Sequence, residues 1–332
     1  LLIDMLKERK INATLIYNKN MPIISRNIFK KHNFALFIRN YFYTRKIMNS
    51  LKYDILYINT LACAIFLLYK KSVKIIHIHE ILVNRLQIII FGAIIKHFAN
   101  VAIFVSNACQ EKLKPYCKKS IVIHNGVRDI YYKDGFKKEN DDDKIRCILI
   151  GRIMPEKGYW ILADCISEMS SDDRQELEIM TVGSPPPTRP YLKDEFIDYL
   201  IKKGIDKNIK VLDFNPHIED LINSADIVLV PSVMRDPFPT TVIEAMSAAK
   251  AVITTDGGGA MEIIKNKSNG IIIRRNNYAD LLDALLYLIN NRDIIRYLGE
   301  NARETYKNDL CYESFRKRYS ESILSSLSEL LK

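Results

Sequence analysis

The sequence predicts an α/β protein in which parallel sheets are covered on both faces by helices. Short apolar runs bounded by turn residues alternate with longer amphipathic segments along the chain, which is typical of repeated βα units. The 332 residues exceed the usual size of one domain, and 48% of them are hydrophobic, enough for two cores. No internal repeat is visible, so we expect two different domains.

The expected organisation is two domains followed by a helix. We place the first domain at residues 1–140, the second at 141–310 and the helix at 311–332. The boundary between the domains falls in the polar run 133–143, whose composition is typical of a linker. The three aspartates at 141–143 indicate a solvated turn rather than a metal site, because no apolar strand positions them.

A pair of carboxylates follows the apolar run 227–230, which predicts a buried strand. Asp236 and Glu244 are separated by seven residues across a Pro-Phe-Pro turn, and we expect Thr240 to cap a helix over 241–249. The amino end of such a helix attracts a diphosphate, and the Glu244 carboxylate suits the hydroxyls of a ribose. By itself the pair is more often a solvated loop residue and a helix charge.

Three further segments favour a nucleotide site. The strand of 145–150 ends at Gly151 and leads to Arg152 and Lys157, which suit phosphate oxygens but also an ordinary exposed helix start. The glycine triplet in 256–262 lets backbone amides approach a ligand, although a tight turn is the default. The run 120–127 ends in an Asn-Gly turn without the partner strand of a hairpin.

In this order, the segments resemble the retaining glycosyltransferases of family 4, also called group 1. The resemblance extends to residues 104–113 and 298–306 and so covers nearly the whole chain. It implies the GT-B fold, two Rossmann-like domains that face a cleft. It also implies transfer of a hexosyl-type sugar from a UDP or GDP donor to the hydroxyl of a glycan or lipid-linked acceptor, with retention of configuration and no metal or other cofactor.

The same resemblance suggests roles for individual residues. Arg152 and Lys157 match the donor phosphate contacts, Glu244 the ribose contact and Asp236 the acidic residue near the donor sugar. His79, at the end of the apolar strand 73–78, matches a His or Asp near that sugar, whereas packing explains its neighbour His77 almost as well. We expect the nucleotide base near 213–217, and further donor contacts at Gly151, Phe238, Pro239, Thr240 and Thr241.

The chain departs from the family pattern at three places. Asp236 stands where Glu is usual and is one methylene shorter, and Ala249 replaces a common Gly, which we interpret as a packing change. Residues 1–12 predict half of an amphipathic helix, followed by a strand at 13–17, with neither the strand nor the Gly-rich loop that begins such a domain. We therefore expect a fragment whose first domain lacks both elements.

Charge is unevenly divided between the two halves. Residues 1–140 hold 24 Lys and Arg against 8 Asp and Glu, within a net charge of +10. This excess fits an anionic membrane surface or a lipid-linked acceptor, and aromatic residues among basic ones at 28–52 suggest interfacial docking, although an ordinary amphipathic helix fits equally well. Nucleic acid is a poorer partner, because no binding motif accompanies the charge.

The expected location is the cytoplasm, with peripheral association at the inner face of the membrane. Six cysteines without metal-type spacing suit a reducing compartment. Assembly of a bacterial cell-surface polysaccharide, such as lipopolysaccharide, follows from the resemblance and the basic half. A nucleotide-sugar 2-epimerase and a non-catalytic partner subunit of a transferase stay open as alternatives.

Overall fold

The computed structural model of the protein describes residues 12–15, 31–69, 72–132 and 143–330. The chain divides into two compact units, Leu1–Ile123 with Arg316–Lys332, and His124–Phe315. Our domain boundaries after residues 140 and 310 stay predictions.

Several predicted features lie outside the described residues. They are the helix at the start of the chain, most of the linker and two of its three aspartates. Of the strand expected at 13–17, residues 13–15 are described and are not in a strand.

The first unit holds a four-stranded parallel sheet in the order β1-β2-β3-β4. The N-cap of the helix Arg85–Phe98 is Asn84, whose side chain accepts a hydrogen bond from the Gln87 amide and so stabilises the first turn. The elements are α1 (Lys31–Ser50), β1 (Ile55–Ile58), a 3₁₀ helix (Leu61–Leu68), β2 (Val73–Ile78), α2 (Arg85–Phe98), β3 (Val101–Phe104), α3 (Asn107–Gln110), a 3₁₀ turn (Lys114–Tyr116) and β4 (Ser120–Val122).

The second unit holds a six-stranded parallel sheet in the order β10-β9-β8-β5-β6-β7. The elements are β5 (Ile145–Ile150), a 3₁₀ turn (Pro155–Lys157), α4 (Tyr159–Glu168), α5 (Ser171–Gln175), β6 (Leu177–Val182), α6 (Leu192–Lys202), β7 (Ile209–Leu212), α7 (Ile218–Ser224), β8 (Ile227–Val230), α8 (Thr240–Ser247), β9 (Ala251–Thr255), a 3₁₀ turn (Gly259–Glu262), β10 (Ile271–Ile273), α9 (Tyr278–Asn290), α10 (Arg292–Thr305), a π-helical turn (Tyr306–Leu310) and α11 (Tyr312–Leu330), which continues into the first unit.

The core of the second unit surrounds its two central strands. Cys147 and Leu149 of β5 and Leu229 of β8 are almost fully buried, together with residues of α4 and α9. Each buried Leu or Ile side chain contributes about 1.5–3 kcal/mol to folding. The central strands are therefore a rigid base for the loops at their carboxyl ends. Among the described helices, none is long and apolar enough to cross a membrane.

Candidate functional site

The candidate site lies at the carboxyl ends of β5 and β8. These strands are hydrogen-bonded neighbours in parallel register, and the strand order reverses between them. In open α/β sheets, ligands bind outside such a reversal, because the connecting helices leave there on opposite faces and open a crevice. The segment predicted to contact phosphate follows β5, and the segment predicted to contact the sugar follows β8. The two segments therefore lie side by side.

The loop after β5 packs tightly on the loop after β8. Gly158 has φ +84°, and a Cβ at this position would lie 2.1 Å from the carbonyl oxygen of Pro231. The Val233 amide donates to the Glu156 carbonyl over 3.0 Å. Only glycine combines this left-handed backbone with so close an approach, so Gly158 fixes the direction in which Lys157 leaves the loop.

Lys157 and Asp236 meet across the two loops. The Lys157 Nζ donates to Asp236 Oδ2 over 2.6 Å, and both side chains are largely shielded from solvent. The sequence predicted a phosphate contact and a sugar contact, but not that the two groups form an ion pair. Arg152, the other predicted phosphate contact, is exposed in the loop that follows Gly151.

The glycine triplet supports the Asp236 segment. Gly258 has φ +78°, and a Cβ there would lie 1.8 Å from the Asp236 carbonyl oxygen, which also accepts a hydrogen bond of 2.9 Å from the Gly259 amide. The close backbone approach that the triplet predicted is therefore to Asp236 itself. These glycines hold the loop that carries the carboxylate.

The helix α8 begins one residue earlier than predicted. Pro239 is the N-cap, with no side-chain hydrogen bond to the first turn, and Thr240 is the first helical residue. Our assignment of Thr240 as N-cap is wrong, because its hydroxyl instead donates to the Glu244 carboxylate one turn along the helix. The amino end of α8 is thus uncapped by any side chain at the site.

Glu244 is half-buried, one turn into α8. Burial raises the pKa of its carboxyl, while hydrogen bonds from the Tyr131 and Thr240 hydroxyls lower it. The pKa of Tyr131 is raised to about 12, first by burial and then by the neighbouring Glu244 charge. A hydrogen bond from Asn223 Nδ2 to the Tyr131 carbonyl anchors this segment. Tyr131 was not predicted from the sequence as a site residue, because it belongs to no motif.

A second missed group lies behind Phe238. The His124 ring stacks on the Phe238 ring, with centroids 4.8 Å apart and planes at 15°. His124 Nε2 lies 2.8 Å from Glu262 Oε2. The sequence assigned no role to His124, although its position directly before the Asn125-Gly126 turn was a usable signal.

A pocket gathers most of the predicted donor contacts. Its lining includes Ser232, whose buried Oγ has no hydrogen-bond partner among the described residues. Four of the predicted residues, His79, Gly151, Arg152 and Glu244, are not among the lining residues. The lining residues are Leu149, Ile150, Lys157, Leu229, Val230, Ser232, Asp236, Phe238, Pro239, Thr240 and Thr241.

His79 lies in the first unit, where β2 ends. Its ring is 4.2 Å from that of His77, and its Nε2 donates to Asn59 Oδ1 over 3.1 Å. Burial lowers the pKa of His79, against the raising effect of the Glu80 charge. His77 is more deeply buried, which lowers its pKa to about 3, and its Nδ1 lies 2.6 Å from the Tyr57 hydroxyl. Both imidazoles are therefore neutral near pH 7.

The site has donor and acceptor groups that suit anions and hydroxyls. In the part of the chain that the structure describes, no group of three or more His, Cys, Asp or Glu side chains is arranged to hold a metal. A cation, an uncapped helix end and two carboxylates instead suit a phosphorylated, hydroxylated ligand.

Residues 133–305, more than half of the chain, match the family model of the Glycosyl transferases group 1. The chain belongs to this family. The match contains Lys157, Asp236 and Glu244, whereas His124 and Tyr131 precede it.

Curated relatives among the glycosyltransferases cover part of the chain. An uncharacterized glycosyltransferase of Methanocaldococcus jannaschii is 29% identical over 227 residues, which are 67% of this chain and 58% of that protein. A D-inositol 3-phosphate glycosyltransferase of Nocardia farcinica is 29% identical over 156 residues, 46% of this chain and 34% of that protein. The chain thus spans between about a third and three fifths of the length of these relatives.

Solved structures of glycosyltransferases share the fold. HepE of Anabaena, crystallised with UDP and glucose, has a TM-score of 0.78 at 19% identity, over 98% of this chain and 89% of that one. Sucrose-phosphate synthase of Thermosynechococcus elongatus has a TM-score of 0.77 at 15% identity, over 95% and 83%. The predicted GT-B fold of this group 1 member is confirmed.

Proposed function

We propose that this group 1 protein transfers a hexosyl-type sugar from a UDP or GDP donor to an acceptor hydroxyl on a glycan or lipid, with retention of configuration as in family 4. The main support for this proposal is the pocket in which Lys157, Asp236 and the uncapped amino end of α8 converge. The UDP and UDP-glucose found with HepE support a uridine donor.

The donor diphosphate would bind at the amino end of α8. The backbone amides of Thr240 and Thr241 carry the positive end of the helix dipole, and Lys157 adds a full charge beside them. Ser232 Oγ, buried without a partner among the described residues, is a further donor toward this pocket. Arg152, exposed in the neighbouring loop, would contact the outer phosphate oxygens.

The ribose would be held by Glu244. Its carboxylate accepts from Tyr131 and Thr240 and has further lone pairs for the two ribose hydroxyls. We place the base near 213–217, which follows β7, two strands from β5 in the sheet. Gly151, Phe238 and Pro239 would shape the walls around the diphosphate, and Asp236 would accept from a sugar hydroxyl.

The proposed chemistry needs no protein nucleophile. The acceptor oxygen bonds to the anomeric carbon as the bond to the diphosphate oxygen breaks, and the acceptor proton passes to that leaving oxygen. Lys157 stabilises the charge that develops on the diphosphate. We keep His79 as a proposed contact of the sugar, to be tested by the transfer rate of His79→Ala.

The cellular role is proposed to be assembly of bacterial cell-surface polysaccharide, lipopolysaccharide included, in the cytoplasm at the inner membrane face. The excess of Lys and Arg in residues 1–140 supports a membrane-bound acceptor. Our boundaries, 1–140, 141–310 and 311–332, are retained as the proposed domains.

Thermal stabilisation by UDP, GDP, ADP and their sugars tests the donor site. A ligand at 100 times its Kd stabilises by about 2.7 kcal/mol, which raises Tm by several degrees in a chain of this size. We expect the rise with one nucleotide only, its loss in Glu244→Ala, and its persistence in Glu195→Ala, which removes an exposed helical carboxylate elsewhere. No rise with any nucleotide would contradict the proposal.

Product analysis tests the reaction. NMR of the transferred sugar should show the anomeric configuration of the donor. Conversion of the nucleotide sugar to its epimer without acceptor would instead identify an epimerase.

A further inference from the structure

The outer face of α2 is apolar and exposed. Val83, just before the helix, is 75% exposed, Leu86 is 65% exposed, and Ile89 and Ile90 are each 48% exposed. The spacing of 86, 89 and 90 places these side chains on one side of the helix. On the opposite side, Phe91 and Ile95 are buried in the first unit. The buried residues explain how α2 packs on the first unit. They do not explain why large aliphatic side chains are exposed on the other side of the helix.

The charges in and around this helix are mostly positive. The helix contains no Asp or Glu, begins with Arg85 and carries Lys96 and His97 in its last turn. Residues 72–123, which surround it in the chain, hold seven Lys and Arg against two Asp and Glu. A helix with large aliphatic side chains between basic ends fits a surface that is apolar below and anionic above.

We propose that the face formed by Val83, Leu86, Ile89 and Ile90, the α2 face, docks on an anionic lipid bilayer surface. The aliphatic side chains would lie at the boundary of headgroups and acyl chains, and Arg85 and Lys96 would contact lipid phosphates. The inference deepens the proposed transfer to a lipid-linked acceptor and rests on it. It assigns the membrane contact to residues outside the stretch 28–52.

The α1 helix is a weaker candidate for the same contact. Tyr41 packs inward, with its ring 5.9 Å from that of Tyr69. Phe42 and Tyr43 are exposed, but they stand beside each other in sequence and so diverge around the helix. The residues of α2 form a continuous aliphatic row instead.

Charge also argues against a second copy of the chain as the occupant. In a two-fold pair of α2 helices running antiparallel, Arg85 of each copy would lie near Lys96 and His97 of the other. With no acidic residue in the helix, these like charges would oppose association. A lipid phosphate has the complementary sign.

Sedimentation with vesicles tests the α2 face in the intact chain. The purified protein should bind vesicles of phosphatidylglycerol and phosphatidylcholine, bind pure phosphatidylcholine far less, and dissociate in about 0.5 M NaCl because the attraction is screened. Ile89→Ser with Ile90→Ser should weaken binding about tenfold or more, since each side chain loses apolar burial. Leu86→Ser should weaken it more than Ile201→Ser, a matched exposed aliphatic residue of α6.

Equal binding by wild type and the Ile89/Ile90 double variant would overturn the inference. So would a loss of dimer mass in that variant, by light scattering, without a change in vesicle binding, because the face would then contact a second copy. Nucleotide-induced thermal shifts, measured on the same samples, separate the two proposals. Vesicle binding without any nucleotide shift refutes the donor site alone, and the reverse refutes the α2 face alone.

Discussion

Lys157 Nζ lies 2.6 Å from Asp236 Oδ2, and this ion pair joins the loops that follow β5 and β8. Each loop is fixed from behind by a glycine, Gly158 against Pro231 and Gly258 against Asp236. The pair is therefore held by backbone packing rather than by two mobile side chains alone. A bound diphosphate would compete with Asp236 for the Lys157 charge, so ligand binding and the ion pair are expected to be linked.

Lys157→Ala should lower turnover by about two to three orders of magnitude, as expected for loss of a preorganised charge at a leaving group. Steady-state kinetics with the identified donor give kcat and KM. Lys203→Ala is the matched control, because it removes another ion-paired lysine, bound to Asp164 at 3.0 Å, outside the pocket. A near-normal kcat in Lys157→Ala would refute its proposed role.

A double-mutant cycle separates the contribution of Asp236 to transfer from that of Lys157. Asp236→Ala should weaken transfer, and Lys157→Ala with Asp236→Ala should lose less than the sum of the two single effects, because the residues contact each other. Asp236→Glu restores the methylene that is usual in the family and should keep measurable transfer. Additive single effects in kcat would show that the ion pair has no part in catalysis.

Glu244 should give folding stability an identifiable pH dependence. Because its folded pKa is raised above 4.5, the folded protein binds more protons than the unfolded chain between these two values. The contribution of Glu244 therefore favours folding most at low pH and is lost as pH rises through the folded pKa. The Tm of wild type minus that of Glu244→Gln should fall from pH 4 to pH 7.

Nucleotide affinity should change in the opposite direction with pH. The ionised carboxylate is the acceptor proposed for the ribose hydroxyls, so titration calorimetry should show weaker binding as pH falls through the raised pKa. Glu244→Gln should bind weakly and show a flat profile. Parallel profiles in both proteins would place the titrating group elsewhere.

His124 is expected to act as a positioning residue for Phe238. Loss of the stack in His124→Ala should raise the donor KM by up to about tenfold, since an aromatic pair contributes about 0.5–1.5 kcal/mol. The kcat should change less, because His124 lies behind Phe238 and not among the lining residues. His124→Phe should restore most of the KM, whereas equal effects in both variants would assign the effect to the Glu262 contact.

The sequence predicted the strands of the site and their order along the chain, because buried parallel strands are continuous apolar runs. It could not predict the sheet order that makes β5 and β8 neighbours, since that depends on tertiary packing. Lys157 and Asp236 are 79 residues apart in sequence, and neither this spacing nor their residue types predict that they are in contact. The resemblance placed both in one site but described them as separate ligand contacts.

Side-chain interactions across segments were the other limit. Tyr131 contacts Glu244, and His124 contacts Glu262 over 138 residues of sequence, without any periodic pattern. Thr240 fits an N-cap by residue type, but Pro239 already occupies that position with φ −69°. The Thr240 hydroxyl can either cap the helix or contact Glu244 one turn later. Tertiary packing decides between the two, and residue propensities do not describe tertiary packing.

Ala249 gives the last test, because our interpretation of it as a packing change is wrong. It has φ +57° and follows Ala248, the C-cap of α8. The Lys250 amide donates to the Ala245 carbonyl and the Ala249 amide to the Met246 carbonyl. This is the Schellman ending that favours glycine in the left-handed position.

Strain of about 1–2 kcal/mol in alanine at position 249 is partly offset by the greater entropy of glycine in the unfolded chain. Ala249→Gly should therefore stabilise by up to about 1 kcal/mol, seen as a higher urea midpoint at unchanged slope. Ala248→Gly, at the preceding residue with φ −87°, should destabilise, and equal shifts in both variants would contradict the argument from backbone conformation.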